Sequence, residues 1–242
     1  MSFCQRPGPE HRVSLPGCVA MGTRFDHRLL GAGCIDRSGI PLPPAIRRSV
    51  PRRQAEFLAG RLCAREALER LTGSANVPPI GENRAPRWPE AVCGAITHNR
   101  HRALAMVARR DDYLALGVDI ESLIDEALVD ELAGELLTQG ERERLRGLPS
   151  EQRAHLLTLT FSLKESLYKA LHPLTGRQFY FEHAELLAWS ADGQARLRLL
   201  CRLDERFPEN TEIDGRFCMI EDDLLSYVAI ANPRGALGLA PC

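Results

Sequence analysis

Lysine is almost missing from this chain. Of 31 Lys and Arg residues only two are lysines, Lys164 and Lys169, and both fall in one short segment. No apolar run approaches the ~18 residues that a membrane-spanning helix needs, so no membrane association is expected. The stretch from Met1 to Leu15 carries Arg6, Glu10, His11 and Arg12 and no apolar core, unlike a secretion signal. The eight cysteines form neither a C-x-x-C pair nor a Cys/His zinc spacing. They read as reduced thiols, which points to the cytoplasm rather than to a disulfide framework. A net charge of −1 gives no overall pull toward nucleic acid. With 242 residues and 44% apolar content, the chain can build one large domain or two small ones around a sizeable core.

The lysine-bearing segment reads as a helix. Leu156, Leu159, Leu163, Leu167 and Leu171 recur at three- to four-residue steps, and nothing breaks them before Pro173. Glu165 and Lys169, four apart, share one face. Taken alone they make an ordinary surface ion pair. Some forty residues upstream lies a second acidic pair, in Gly117-Val118-Asp119-Ile120-Glu121. Here the pattern alternates: Leu114, Leu116, Val118 and Ile120 on one side, Ala115, Gly117, Asp119 and Glu121 on the other. Two carboxylates on one strand face raise each other's pKa unless a cation sits between them. One reading is a solvated strand end facing a distant Lys or Arg. The other is a divalent cation, with small Ala115 and Gly117 leaving room for a ligand. Oxygen ligands of this kind suit Mg²⁺.

G-V-D-I-E followed by F-S-L-K-E-S-L-Y-K resembles the paired signature of the phosphopantetheinyl transferases, in particular the long single-chain type that serves enterobactin and surfactin synthetases. The likeness runs over roughly residues 45 to 182 and includes two further blocks. One is R-R-x-x-E-F-x-x-G-R in a helix predicted after Pro51, with Gly73 beyond its end. The other is G-E-N-R-A-P-R-W-P, a loop leading to a strand that ends at Thr97 and His98. The resemblance implies that Arg53 and Arg61 meet the 3′-phosphate end of coenzyme A, with a guanidinium fork suited to phosphate oxygens. It makes Thr97 and His98 phosphate contacts and Arg84 a basic partner. His101 falls outside the motif, and Trp88 reads as a packing residue.

Further along, strands are expected at Val92–Thr97, Arg102–Ala108 and Leu114–Glu121, forming an antiparallel meander. Thr138 is a candidate cap for a helix beginning near Gly140. The lysine-bearing helix is expected to end at Leu171, and the remainder reads as strands separated by a turn at Ala191-Asp192-Gly193. The implied fold class is α+β: two similar, pseudo-twofold-related subdomains, residues 1–115 and 116–242, each a helix packed on a small antiparallel sheet, with the active site in the cleft between them.

The implied reaction moves 4′-phosphopantetheine from coenzyme A to a serine of an apo acyl carrier protein or a peptidyl or aryl carrier domain. The implied metal is Mg²⁺, with Mn²⁺ as an alternative, held by Asp119, Glu121 and Glu165. Glu165 also serves as general base, Lys169 holds the pyrophosphate, and Lys164 has a supporting role. The resemblance further implies a cytoplasmic monomer. Two other readings stay open on the residues alone: a Mg²⁺-dependent phosphohydrolase or nuclease, and a non-catalytic carrier-protein docking module.

Overall fold

The computed structural model describes residues 3–81 and 85–235, and these divide into two compact units. One ends at Leu116 and is rejoined from Ala231; the other is Gly117–Ile230.

The first unit is built on a four-stranded antiparallel sheet of order β1-β2-β4-β3: β1 (Gly8–Pro9), β2 (Cys18–Arg24), β3 (Val92–His98) and β4 (Arg102–Arg109). Two short helices, α1 (Ala32–Ser38) and α2 (Pro44–Arg47), lead to the long α3 (Pro51–Thr72). Pro51 opens α3 at its first position, where its missing N–H and fixed φ are harmless. Gly73 closes it in the left-handed conformation (φ 77°), and its N–H bonds Glu69 O. The inner face of α3 is made of small and branched residues, Ala55, Leu58, Ala59, Cys63, Ala64, Ala67 and Leu68, all fully buried. It lies on Met21, Ala103, Ala105 and Val107 of the sheet. Residues without long side chains let helix and sheet approach closely, so the α3 N-terminus and the end of β3 are held in a fixed relation.

The second unit has a five-stranded antiparallel sheet of order β5-β9-β8-β7-β6. Its strands are β5 (Tyr113–Ser122), β6 (Ala184–Trp189), β7 (Gln194–Leu199), β8 (Glu212–Ile220) and β9 (Asp223–Ala231). Three helices separate β5 from β6: α4 (Val129–Leu136), α5 (Gln139–Arg146) and α6 (Ser150–Thr175). On α6, Leu157, Leu159, Leu163, Leu167, Ala170 and Leu171 are fully buried and join Leu186, Leu197, Leu199, Leu224 and Val228 of the sheet in one core. Each such leucine contributes about 1.5–3 kcal/mol through burial. Thr138 does cap α5: its hydroxyl accepts from Glu141 N while the Glu141 carboxylate accepts from Thr138 N.

The α+β class with one long helix on each sheet matches expectation, but two local expectations are corrected. β5 is not the third strand of a meander. β4 has β2 and β3 as neighbours, and β5 pairs beside β9 in the other sheet. Residues Arg102–Ala108 are all buried, so β4 needs both edges covered, and the early strand β2 takes the edge that β5 was expected to fill. Secondly, α6 does not stop at Leu171. It runs through Pro173 to Thr175 and ends on Gly176 (φ 64°), whose N–H bonds His172 O. Proline there removes a single bond from the last turn, where tertiary packing outweighs the loss.

Candidate active site

In the second unit β5 carries Asp119 and Glu121, and α6 carries Glu165 and Lys169. The strand and the helix meet at Gly117: a Cβ built on it would lie 1.8 Å from Ser166 O and 2.8 Å from Ala170 N. The missing side chain at Gly117 therefore admits the helix rather than a ligand, which corrects the sequence reading. Two residues further along the strand, Asp119 is 3% exposed. Lys169 Nζ donates to Asp119 Oδ1 at 2.6 Å and to Val118 O at 3.2 Å.

The carboxylates sit in one shared field. Burial pushes the Glu121 carboxyl up to about 8, assisted by the charges of Asp119, Glu165 and Asp223 and opposed by Lys169. Burial likewise raises Glu165, with Lys169 lowering it and Asp119 raising it. Asp223, at the start of β9, accepts from the Ser122 hydroxyl at 2.9 Å and was not foreseen; only its place beside the last strand hinted at it. Among the described residues no three acids, histidines or cysteines form a ready-made cation cage. Among the described residues Lys169 brings an ammonium to Asp119. The donor set nevertheless fits a hard divalent ion: oxygen ligands only, with Glu121 and Glu165 pushed toward their neutral forms by burial and by neighbouring acids, a penalty on ionisation that a dication would relieve.

Lys164, one residue before Glu165, is turned into the core at 3% exposure. Its ammonium donates to Glu141 Oε2 (2.6 Å), Phe181 O (2.8 Å) and Leu136 O (3.0 Å), so all three protons are used. Glu141 Oε1 accepts from Leu186 N at 2.7 Å. On the Glu165 side of α6 opens a cavity of about 310 Å³ lined by Tyr168, Gln178, Phe179, Tyr180 and Phe181 as well as Lys164 and Glu165. Its aromatic wall, Phe179-Tyr180-Phe181, went unremarked in the sequence. Three consecutive aromatics in a chain with 6% aromatic content were the available signal.

In the first unit, Arg53 Nη1 donates to His98 Nε2 at 2.9 Å and to Glu56 Oε2 at 3.3 Å. Arg52 Nε donates to Glu56 Oε1 at 2.9 Å. Arg61 is 6% exposed, with its guanidinium 4.9 Å from the centre of the Phe57 ring. Burial, then the charge of Arg53, lowers its pKa to about 10, so it stays cationic at neutral pH. Its buried Nε has no hydrogen-bond acceptor among the described residues, which is the kind of donor an incoming anion satisfies. Thr97 and His98 end β3, opposite Leu104 and Ala103. Trp88 packs against the core of this unit, as read. Arg84 lies outside the described residues.

Residues 43–108 match the family profile of the 4′-phosphopantetheinyl transferase N-terminal domain, and residues 115–220 match that of the 4′-phosphopantetheinyl transferase superfamily. The chain is 36% identical over 203 residues to the 4′-phosphopantetheinyl transferase Svp of Streptomyces mobaraensis, an alignment covering 78% of this chain and 77% of that protein. The chain belongs to the 4′-phosphopantetheinyl transferase superfamily. It is also 40% identical over 131 residues to enterobactin synthase component D of Salmonella typhi, spanning about half of each chain (54% and 53%). With the 4′-phosphopantetheinyl transferase PptT of Mycobacterium tuberculosis it shares 35% over 155 residues, 60% of this chain and 64% of that one. As a phosphopantetheinyl transferase the chain is an enzyme of a family that uses coenzyme A and generally a divalent metal to modify carrier proteins. The phosphohydrolase and docking-module readings fall away. The first matched span contains Arg53, Arg61, Thr97 and His98, and the second contains Asp119, Glu121, Glu165 and Lys169.

Proposed function

We propose that this transferase moves 4′-phosphopantetheine from coenzyme A to the serine of apo acyl, peptidyl or aryl carrier proteins, with the residues of its two halves, 1–115 and 116–242, dividing the work. Arg53, Arg61, Thr97 and His98 grip the 3′-phosphate end of coenzyme A, and Arg84 adds a further positive charge. Asp119, Glu121 and Glu165 hold Mg²⁺, with Mn²⁺ as a substitute; when bound, the ion neutralises the pyrophosphate charge.

The carrier serine oxygen forms the new bond to the phosphorus bearing the pantetheine arm. The P–O bond to the nucleotide breaks and 3′,5′-ADP departs with the electron pair. Glu165 takes the serine proton. A carboxylate is a weak base, but the ~10²- to 10⁴-fold typical of general bases is all this step asks of it. Lys169 spends two of its three protons on Asp119 and Val118 O, which leaves one to donate to the leaving pyrophosphate oxygen. The cavity of Tyr168 and Phe179–Phe181 beside Glu165 gives the pantetheine arm, with its gem-dimethyl group and two amides, a place to lie.

The observation that carries this reading is the Lys169 ammonium on Asp119, beside two carboxyls, Glu121 and Glu165, that burial and the charge of Asp119 raise. A phosphoryl-transfer site needs that mixture: acids for a metal and a fixed cation for the phosphate. The enzyme acts as a monomer in the cytoplasm. Among the described residues seven cysteines lie outside any disulfide, which supports a reducing compartment. Incubation with coenzyme A, Mg²⁺ and a panel of apo carrier proteins tests the function. Intact mass should rise by one phosphopantetheine per carrier, and no mass change on any carrier would refute it.

A further inference from the structure

Glu56 is an acid in a place that is otherwise cationic. It lies on α3 one turn beyond Arg52 and Arg53, is 7% exposed, and accepts from both guanidiniums, one on each oxygen. Its Oε2 also faces His98 Nδ1 at 3.9 Å. Arg53 Nη1 is a donor only, so His98 Nε2 at 2.9 Å must accept from it. The ring proton is then on Nδ1, the nitrogen turned toward Glu56. One carboxylate thus holds Arg52 and Arg53 directly, and His98 through Arg53.

We propose that Glu56 is a positioning residue that sets Arg53 and His98 for the 3′-phosphate of coenzyme A and thereby determines how strongly the enzyme prefers coenzyme A to its 3′-dephospho form. This rests on the reading that Arg53 and His98 hold that phosphate. Two effects oppose each other. A carboxylate near a phosphate repels it. Against that, the Arg52 and Arg53 side chains are 49% and 44% exposed, and long exposed side chains lose rotamer freedom on binding unless something holds them beforehand. The two guanidiniums more than neutralise Glu56, leaving one net positive charge, so the repulsion is largely cancelled. Without the carboxylate the guanidiniums repel each other, and the imidazole loses the group its Nδ1–H faces. Orientation therefore outweighs charge count.

Steady-state transfer to one apo carrier protein, with coenzyme A and with 3′-dephospho-coenzyme A, decides the matter. Glu56→Gln keeps the shape and removes the charge. It should raise KM for coenzyme A about tenfold, the low end for loss of a supporting residue, while KM for the 3′-dephospho form and both kcat values change less than about twofold. Equal rises in both KM values would mean a purely structural role and overturn the proposal. So would a lower KM for coenzyme A, which would show that charge count dominates. Arg53→Ala runs alongside. If it selectively weakens coenzyme A and Glu56→Gln does not, the proposal alone fails. If it affects both substrates equally, the phosphate assignment fails first and the proposal with it. Should Glu56→Gln not melt cooperatively, Glu56→Asp, which keeps the charge but withdraws it by one methylene, must show the same selective loss, and an unselective change overturns the proposal.

Discussion

Lys169 Nζ and Asp119 Oδ1 are 2.6 Å apart, joining the one acid on β5 that is nearly sealed from solvent to a helix lysine that is 27% exposed. Breaking this contact removes an ammonium from the buried Asp119 carboxylate. A fully buried pair loses about 3–5 kcal/mol when one partner goes. Lys169 is partly solvated, so about 1–3 kcal/mol is expected for Lys169→Met. Its effect on catalysis should be larger, a loss of about 10²-fold or more in kcat, because the pyrophosphate loses its fixed cation. Lys169→Arg should not restore it, since a guanidinium fork does not fit where a compact ammonium bridges a carboxylate and a carbonyl. Thermal melts with carrier-modification rates separate the effects, and near-normal kcat in Lys169→Met would remove the residue from the chemistry.

Glu165→Gln should show the opposite balance. Burial raises this carboxyl, so a neutral isostere relieves desolvation and the metal-free variant should melt no lower than the parent. The same change removes the proton acceptor and one proposed metal ligand. Modification of the carrier should fall by about 10²- to 10⁴-fold. Intact-mass time courses read the rate, and a variant retaining a tenth of the parent activity would rule out Glu165 as base.

Glu121 gives the metal-free protein a distinctive pH dependence. Its carboxyl stands at about 8 in the fold against an ordinary 4.5. The folded state therefore holds a proton that the unfolded chain releases, and between those values stability falls as pH rises. The contribution is complete below about 4.5 and lost as pH climbs through about 8. Melting of the protein in chelator should decline between pH 5 and pH 9, and Glu121→Gln should flatten the decline. Mg²⁺ should raise the melting temperature more at pH 8 than at pH 6, because the ionised form is the one that binds it. An identical slope in parent and Glu121→Gln would dispose of this account.

Much of this was legible in the sequence because the governing signals are local. Pro51 and Gly73 bracket α3, leucine spacing marks α6, and Thr138 with Glu141 marks the start of α5. The alternation around Asp119 and Glu121 placed both acids on a strand, and the motif order tied them to Glu165 and Lys169. What escaped depends on partners far apart in the chain. The edge of β4 is taken by β2, more than eighty residues earlier. Gly117 is small because Ser166 O is against it. Nothing local singles out Glu56; His98, forty-two residues on, lies beside it only in the fold. Tertiary competition for an edge, a close backbone contact and a buried carboxylate leave no periodic trace.

Gly117→Ala tests the strand–helix contact directly. The new methyl would meet backbone atoms, Ser166 O and Ala170 N, which cannot rotate away as a side chain would. Either β5 or α6 must shift, and overpacking of this kind costs about 1–3 kcal/mol, occasionally more. The shift acts between Asp119 on one side and Glu165 and Lys169 on the other, so activity should fall further than stability. The expectation is a melting temperature lowered by a few degrees together with a loss of at least ~10²-fold in kcat, the scale of a 1 Å misplacement. A variant that melts lower yet turns over normally would show that the site tolerates the displacement.

The buried pair of Lys164 and Glu141 calls for a double substitution. Lys164→Met alone strands a 3%-exposed carboxylate, and Glu141→Leu alone strands an ammonium; each should lower stability by about 3–5 kcal/mol. Glu141 also accepts from Leu186 N and Thr138 N, so its loss uncaps α5 and frees a buried N–H as well. The combined Lys164→Met/Glu141→Leu variant removes both charges. It should recover part of the loss, falling short by the ~1 kcal/mol typical of a lost cap and by about 1–3 kcal/mol for the freed buried N–H. Chemical denaturation of the four proteins gives the coupling energy. Additive losses would mean that Lys164 and Glu141 do not stabilise each other, and Lys164 would then need a role other than fastening α6 to α5 and to Phe181 at the edge of the cavity.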